Sequence, residues 1–246
     1  MLDVEQRSGV TIMRLSHGKV NALDLELVRA IAAAMRDVPG TGAVVITGAG
    51  AAFSAGVDLQ RIADGGESYV REFLPALSAA FMAIFDHPGP VVAAVNGHAI
   101  AGGCVIAAAC DLRVMAQGKI GLAELSVGVP FPASAMEIMR HATGPAAGRL
   151  VLTAELLDAA QAQAIGLVHD IDKPDTLLDS ALDQAGKMGR IPADVFSFSK
   201  RQLQQPARDR IAALSHDDEA VLEMWSSART RNGIAAYLNA LRQRPR

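Results

Sequence analysis

Glu124 is the only charged residue between Lys119 and Glu137, in the run IGLAELSVGVPFPASAM. A carboxylate among apolar neighbours loses its hydration on folding. That raises its pKa toward the range in which a general base works near neutral pH. A surface Glu on a loop is the competing reading of the same residue. A base that removes a proton from carbon also needs something to hold the negative charge it creates. Two stretches are suited to this, AVVITGAGAAFSAGVDL (43–59) and PVVAAVNGHAIAGGCVIAAAC (90–110). In each, a buried strand runs into a glycine-containing loop that should open a helix. Glycine lets the backbone approach a ligand closely or adopt positive φ. A helix N-terminus carries free N–H donors and a dipole that favours developing negative charge. Two such loops from neighbouring strands can aim two N–H groups at one oxygen, which is an oxyanion hole. For either loop alone, a chain that simply turns a corner accounts for the glycines.

These residues need a scaffold, and the sequence predicts one. MLDVEQRSGVTIMRL alternates and turns at Ser8-Gly9, as a hairpin does. LDLELVRAIAAAMRDV has apolar residues at helical spacing with Gly40 beyond it as a stop. The runs 43–47, 90–96 and DLRVMA (111–116) read as buried strands. GGCVIAAAC reads as a helix, and 68–87 as another with Pro75 placing a start or a kink in it. Strands and helices alternate through the first two thirds, the α/β pattern. After Ile171 the pattern is helical, with amphipathic segments at 173–190 and 217–241.

The 246 residues suffice for one large domain, or a domain with a helical appendage. Half the residues are hydrophobic and few are aromatic, which suits close-packed helices on a sheet and argues against disorder. A net charge of −3 without a basic stripe argues against nucleic acid as a partner. Cys104 and Cys110 lie in an apolar run and read as buried free thiols, without metal spacing or a disulfide framework. The N-terminus carries acids where a secretion signal needs bases, and no apolar run is long enough to span a bilayer, so a cytoplasmic protein without a membrane partner is expected.

Taken together, GKVNALD (18–24), AFSAGVDL (52–59), NGHAIAGGC (96–104) and GLAELSVGVP (121–130) resemble the crotonase family, the enoyl-CoA hydratases and isomerases, in order and spacing over most of the chain. LTAELLDAAQAQAIGLVHDI, from Leu152, is similar to the family's segment after the active site. The resemblance implies an α/β crotonase (ClpP-like) fold, a spiral of repeated β-β-α turns with a C-terminal helical region that builds trimers. On this chain the boundaries fall at 1–190 for the core and 191–246 for the helical trimerisation region. It implies an acyl-CoA thioester as substrate, polarised by two backbone N–H groups. Those donors fall on Val57 and Gly102, with Glu124 as the catalytic acid–base. Substrate contacts are expected at Ala55, Gly56, Asp58, Leu59, Gly103 and Phe131. No metal or redox cofactor is expected, and the assembly implied is a homotrimer or a dimer of trimers.

Hydratases of the family resemble one another in a second Glu at the slot that is Val105 here. Hydration needs water held and deprotonated while a proton goes to the α-carbon, which two carboxylates do naturally. One base can instead take a proton from C2 of a 3-enoyl thioester and return it at C4. AGGCVIA and GLAELSVGV, with the tail SARTRNGIAAYLNALRQR, look more like the Δ3,Δ2-enoyl-CoA isomerases. The Asp that dienoyl-CoA isomerases and 3-hydroxyisobutyryl-CoA hydrolases carry eight residues after the catalytic Glu is Pro132 here, which relays no proton. A hydratase, or a non-catalytic acyl-CoA binder of the same fold, are the alternatives.

Other residues have plainer expected roles. Asp58 should cap the helix it precedes, and Asn21 should brace a turn. His98 beside the second loop reads as structural or exposed. Ser54 lacks the His/Asp pattern of a nucleophile. Lys19, Arg61, Lys200 and Arg201 could touch the CoA phosphates or be solvated surface charges. Met136 and Met139, like Phe131, fit either an acyl pocket or ordinary core.

Overall fold

The computed structural model describes residues 1–243, with side chains described through residue 240. Residues 244–246, the end of the expected helical region, lie outside the described residues. The chain opens with a hairpin, β1 (Leu2–Arg7) antiparallel to β2 (Val10–Leu15), turned at Ser8-Gly9 with both residues at positive φ. Helix α1 (Leu25–Asp37) follows, capped by the Asp24 carboxylate, which accepts the Leu27 N–H. It buries Leu27, Val28, Ile31 and Met35, one helical face.

The chain then runs strand–strand–helix three times. The first turn is β3 (Val44–Gly48), β4 (Ala52–Ser54) and α2 (Leu59–Phe85). The second is β5 (Val91–Val95), β6 (His98–Ile100) and α3 (Gly102–Ala109). The third is β7 (Leu112–Met115), β8 (Ile120–Gly121), the one-turn α4 (Glu124–Val127) and α5 (Ala133–Thr143). Next come α6 (Ala147–Thr153), β9 (Leu156–Leu157), α7 (Ala159–Ala164) and β10 (Asp170–Ile171). Helices α8 (Leu177–Gly189), α9 (Ala193–Leu214), α10 (Asp218–Ser226) and α11 (Ala228–Gln243) complete the chain.

In every turn the first strand enters a six-stranded sheet of order β1-β2-β3-β5-β7-β10. The second enters a four-stranded sheet of order β4-β6-β8-β9. Apart from β1–β2 and β8–β9, the pairings are parallel. This is the β-β-α spiral expected from the sequence. Strands β3 and β5 are buried on both faces, so they read as unbroken apolar runs. Val44, Ile46, Val91, Ala93 and Val95 face the main core with α2 and α3, whereas Val45, Val92 and Ala94 face a second core under Leu177, Ala181 and Ala185 of α8.

The structure corrects the expectation that Pro75 starts or kinks a helix: α2 starts at Leu59, directly after its expected cap Asp58, and its irregularity is at Gly66 (φ 59°, ψ −153°). Pro75 rides inside the helix on its exposed side, where water can satisfy the carbonyl that loses its donor. The segment 217–241 is likewise two helices, broken at Ser227, whose hydroxyl accepts the Thr230 N–H. No helix among the described residues is long and apolar enough to cross a membrane.

Candidate active site

The loop after β4 is held almost entirely by its backbone. The Ala55 N–H donates to the Val20 carbonyl, and the Leu23 N–H to the Gly56 carbonyl. The Asp58 N–H donates to the Leu23 carbonyl, and the Gly56 N–H to Ser54 Oγ. Ser54 Oγ in turn donates to the Asn21 carbonyl at 2.7 Å. Asn21 itself sits at φ 51°, and its amide reaches the carbonyls of Ala49, Ala52 and Phe53. Thus Ser54 is a brace and Asn21 ties the turn. The bonds on either side of Val57 make a parallel bridge to Leu23. In such a bridge the central residue's own N–H faces away from its partner. Among the described residues no acceptor takes the Val57 N–H.

The second loop meets the first. A Cβ on Gly56 (φ 85°) would lie 2.7 Å from the Ile100 carbonyl and 2.8 Å from Ala101 Cβ, so only glycine permits this approach. A Cβ on Gly103 would lie 2.4 Å from the Ser54 carbonyl, so the first turn of α3 is seated on β4. Ala101, just before α3, has φ 53° and ψ −126°, a conformation that costs a non-glycine residue on the order of 1–3 kcal/mol. Its N–H is tied to the Gly121 carbonyl. Gly102 is the first residue of α3, where N–H groups have no partner within the helix and no side chain caps them.

Glu124 begins α4 and is 8% exposed. Burial pushes its carboxyl up to about 7, with the backbone N–H groups of Glu124 and Ala123 pulling the other way. No neighbouring charge contributes, and Oε2 is buried without a hydrogen-bond partner among the described residues. This is an electrostatically isolated carboxyl in an apolar wall, able to hold or release a proton near neutral pH.

Two cavities meet at this carboxyl. The outer one, about 400 Å³, is bordered by Val20, Ala55, Val57, Asp58, Leu59 and Ala101, and by Tyr237 and Leu238 of α11. The inner one, about 20 Å³, is bordered by Val57, Gly102, Val105, Phe131 and Pro132, among others. Glu124, Val57 and Trp225 border both. A separate surface cavity of about 360 Å³, around Arg113, His169 and Lys200, shares no wall with these two.

Of the residues singled out from sequence, Glu124, Val57, Gly102, Ala55, Asp58, Leu59 and Phe131 therefore border one continuous site. Gly56 and Gly103 stand behind it as contacts between the loops. Asp58 also caps α2, its carboxylate accepting the Arg61 N–H at 3.1 Å. Val105 is 1% exposed and borders the inner cavity with Glu124, and Asp58 is the only other carboxylate among the described residues of either wall. His98 is exposed and accepts the Lys119 N–H. Met136 packs on the core and Met139 is inside it, away from both cavities.

Lys200 differs from the expectation for a phosphate contact. It is buried, donating to Asp111 at 2.8 Å and to the Gly89 carbonyl, because a long side chain of α9 closes that side of the sheet. Arg201 lies over the Phe198 ring, and Arg61 pairs with Glu26 at 2.8 Å. Cys104 and Cys110 are buried free thiols, both pushed up by burial. Sequence reasoning missed Trp225, Tyr237 and Leu238, which reach the site from the far end of the chain. The one available signal was that Trp225 is the only tryptophan in an aromatic-poor sequence.

Comparison with known proteins gives the site its context. The family model described as enoyl-CoA hydratase/isomerase matches residues 5–244. A 2,3-dehydroadipyl-CoA hydratase of Escherichia coli is 32% identical over 222 residues, covering 89% of this chain and 86% of the relative. A crotonyl-CoA hydratase of Syntrophomonas wolfei is 29% identical, covering 96% and 94%. Among solved structures, human mitochondrial Δ3,Δ2-enoyl-CoA isomerase superimposes with a TM-score of 0.92 over 98% of both chains at 23% identity, a likeness of fold. With the match spanning nearly the whole chain and the spiral of β-β-α turns beneath the site, this chain belongs to the enoyl-CoA hydratase/isomerase family, the crotonase family of acyl-CoA enzymes.

Proposed function

We propose that this enzyme moves the double bond of a 3-enoyl-CoA thioester to the 2-trans position. The Val57 and Gly102 N–H groups bind the thioester oxygen. The Glu124 carboxylate removes a proton from C2, and the C–H electron pair flows through C1–C2 onto that oxygen, giving a dienolate. Glu124, now protonated, returns the proton at C4 as the electrons re-form the thioester carbonyl and a C2=C3 bond. One carboxyl serves both steps, and proton transfer within the substrate needs no metal or redox cofactor. The observation that carries this reading is Val105. An apolar side chain borders the inner cavity where a hydratase of the family would place its second Glu, and Glu124 is alone there. A carboxyl poised at about 7 suits a group that must give and take a proton in one turnover.

Hydration of a 2-enoyl-CoA is the second reading. It is favoured by the printed activities of the E. coli and S. wolfei relatives. The inner cavity beside Glu124 also has room for about one water. The two readings separate in one assay. Purified protein receives 3-hexenoyl-CoA and, separately, crotonyl-CoA, and the conjugated thioester absorbance is followed with Glu124→Gln as control. Absorbance that appears with the first substrate and is lost in the variant supports the isomerase. Absorbance consumed from crotonyl-CoA at a comparable or greater rate overturns it in favour of the hydratase. We take the assembly to be a homotrimer or a dimer of trimers. Exposed Val195, Phe198 and Leu203 on α9 offer apolar surface for such contacts, and sedimentation measures the outcome.

A further inference from the structure

We propose that Trp225 closes the acyl end of the site and restricts the enzyme to short acyl groups, of about four to six carbons. This rests on the acyl-CoA reading of the cavity and not on which reaction Glu124 performs. A thioester held at the junction of the two cavities has two arms. The coenzyme arm is large and anionic, and only the outer cavity, about 400 Å³, can lead it to solvent. The acyl arm is left with the inner chamber, which begins at Gly102, Val105 and Glu124.

That chamber is about 20 Å³, room for roughly one water-sized group beyond the carbons that face Glu124. Its other walls include Leu77 and Phe81 of α2, Phe131, and the Trp225 indole, which stands between this chamber and the outer cavity. Phe81 and Trp225 are 1% and 2% exposed, so neither side chain forms an edge open to solvent. The wall is also fixed. The Trp225 indole N–H donates to the Pro130 carbonyl at 2.9 Å, which pins the ring against the loop that carries Phe131. At the start of α10, Asp218 accepts the Ala133 N–H at 3.0 Å, tying the helix to the first turn of α5. Moving the ring aside breaks a partly buried hydrogen bond and opens a void in a packed core. A longer chain therefore meets a wall where an open apolar tunnel would reward it. In a tunnel each buried methylene would tighten binding about fourfold.

The test is a binding ladder. Butyryl-, hexanoyl-, octanoyl- and decanoyl-CoA are saturated and unreactive toward either proposed chemistry, so calorimetry reads the pocket alone. In the wild type, affinity is expected to level off by hexanoyl-CoA, with decanoyl-CoA at least tenfold weaker than hexanoyl-CoA. Trp225→Ala is expected to tighten decanoyl-CoA at least tenfold while changing butyryl-CoA less than about threefold. Should Trp225→Ala fail to fold by circular dichroism, Phe131→Ala, which opens the same chamber from the loop side, is expected to shift the ladder in the same direction. A wild-type affinity that climbs about fourfold per methylene through decanoyl-CoA overturns the proposal. So does a folded Trp225→Ala protein with an unchanged ladder. If no acyl-CoA binds, the acyl-CoA reading of the cavity falls along with the proposal. An isomerase that fails the absorbance assay but shows the expected ladder loses only its reaction.

Discussion

Replacing Glu124 by Gln should abolish catalysis and at the same time stabilise the protein, by an amount that depends on pH. The carboxyl moves from an ordinary 4.5 to about 7 on folding, because its burial disfavours the charged form and no cation offsets that. The folded state therefore prefers the protonated acid. Below pH 4.5 the group is protonated whether the chain is folded or not, and the burden is absent. As pH rises toward 7 the unfolded chain ionises freely and the folded one does not, so stability falls, and above about pH 7 the loss is complete. At about 1.4 kcal/mol per unit of displacement, the wild type carries a penalty of about 3 kcal/mol at pH 8 and about 1 kcal/mol at pH 5.

Gln keeps the shape and removes the titration. Any fixed cost of burying its amide is the same at both pH values and cancels in the comparison. The gain of Glu124→Gln over wild type should therefore be about 2 kcal/mol larger at pH 8 than at pH 5. For a chain of this length that is roughly 4–8 °C in melting temperature. The assay is thermal or denaturant unfolding of both proteins at the two pH values, at equal protein concentration. An equal difference at pH 5 and pH 8 would refute the reasoning, since it would mean that the carboxyl ionises in the folded protein as it does in water.

The kcat/KM of the wild type should rise through about pH 7 as Glu124 of the free enzyme ionises to the base form, a single ascending limb that a pH–rate profile reads directly. Ala101→Gly should raise stability by about 1 kcal/mol, since glycine tolerates φ 53° and ψ −126° without strain, and unfolding measures it. Gly103→Ala should destabilise by 2 kcal/mol or more, because its methyl would come 2.4 Å from the Ser54 carbonyl, and activity should fall with it as Gly102 is displaced. Lys200→Met should cost on the order of 3 kcal/mol by leaving Asp111 unpaired, yet leave KM for the acyl-CoA unchanged, since Lys200 is remote from the cavity.

Much of this architecture is legible in local pattern. β3 and β5 read as strands because both faces are buried, and α1 reads as a helix because one face is. The two glycine loops stand out because close contact between them leaves no room for a side chain on Gly56 or Gly103. Glu124 stands out because it interrupts an apolar run. What stayed illegible depends on distant contacts. The bend of α2 falls at Gly66 and not at Pro75 because the proline faces solvent, and no local signal tells which face a proline takes. Lys200 looks like any surface lysine until α9 is laid against Asp111, 89 residues away in sequence. Trp225 reaches the site through a bond to Pro130 that spans 95 residues, and no spacing rule anticipates it.

The apolar chamber joins three properties that would otherwise seem separate. Its walls desolvate Glu124 and so raise the carboxyl to about 7. The same dryness makes a second carboxylate at Val105 costly. Two acids facing each other across so small a space would push one pKa far higher, unless water or a cation entered with them. Trp225 and Phe131 hold the chamber to about the size of one water, which also sets the room left for an acyl chain. A two-acid hydratase needs a wetter chamber than this one, and widening the chamber by moving the tryptophan would lower the Glu124 pKa as it lengthened the acceptable chain. Acid–base poise and chain length are thus coupled through one wall. Trp225→Ala should move the ascending limb of the pH–rate profile to lower pH as the chain-length ladder shifts upward. A variant that moved the ladder without the limb would show that the desolvation of Glu124 comes from elsewhere.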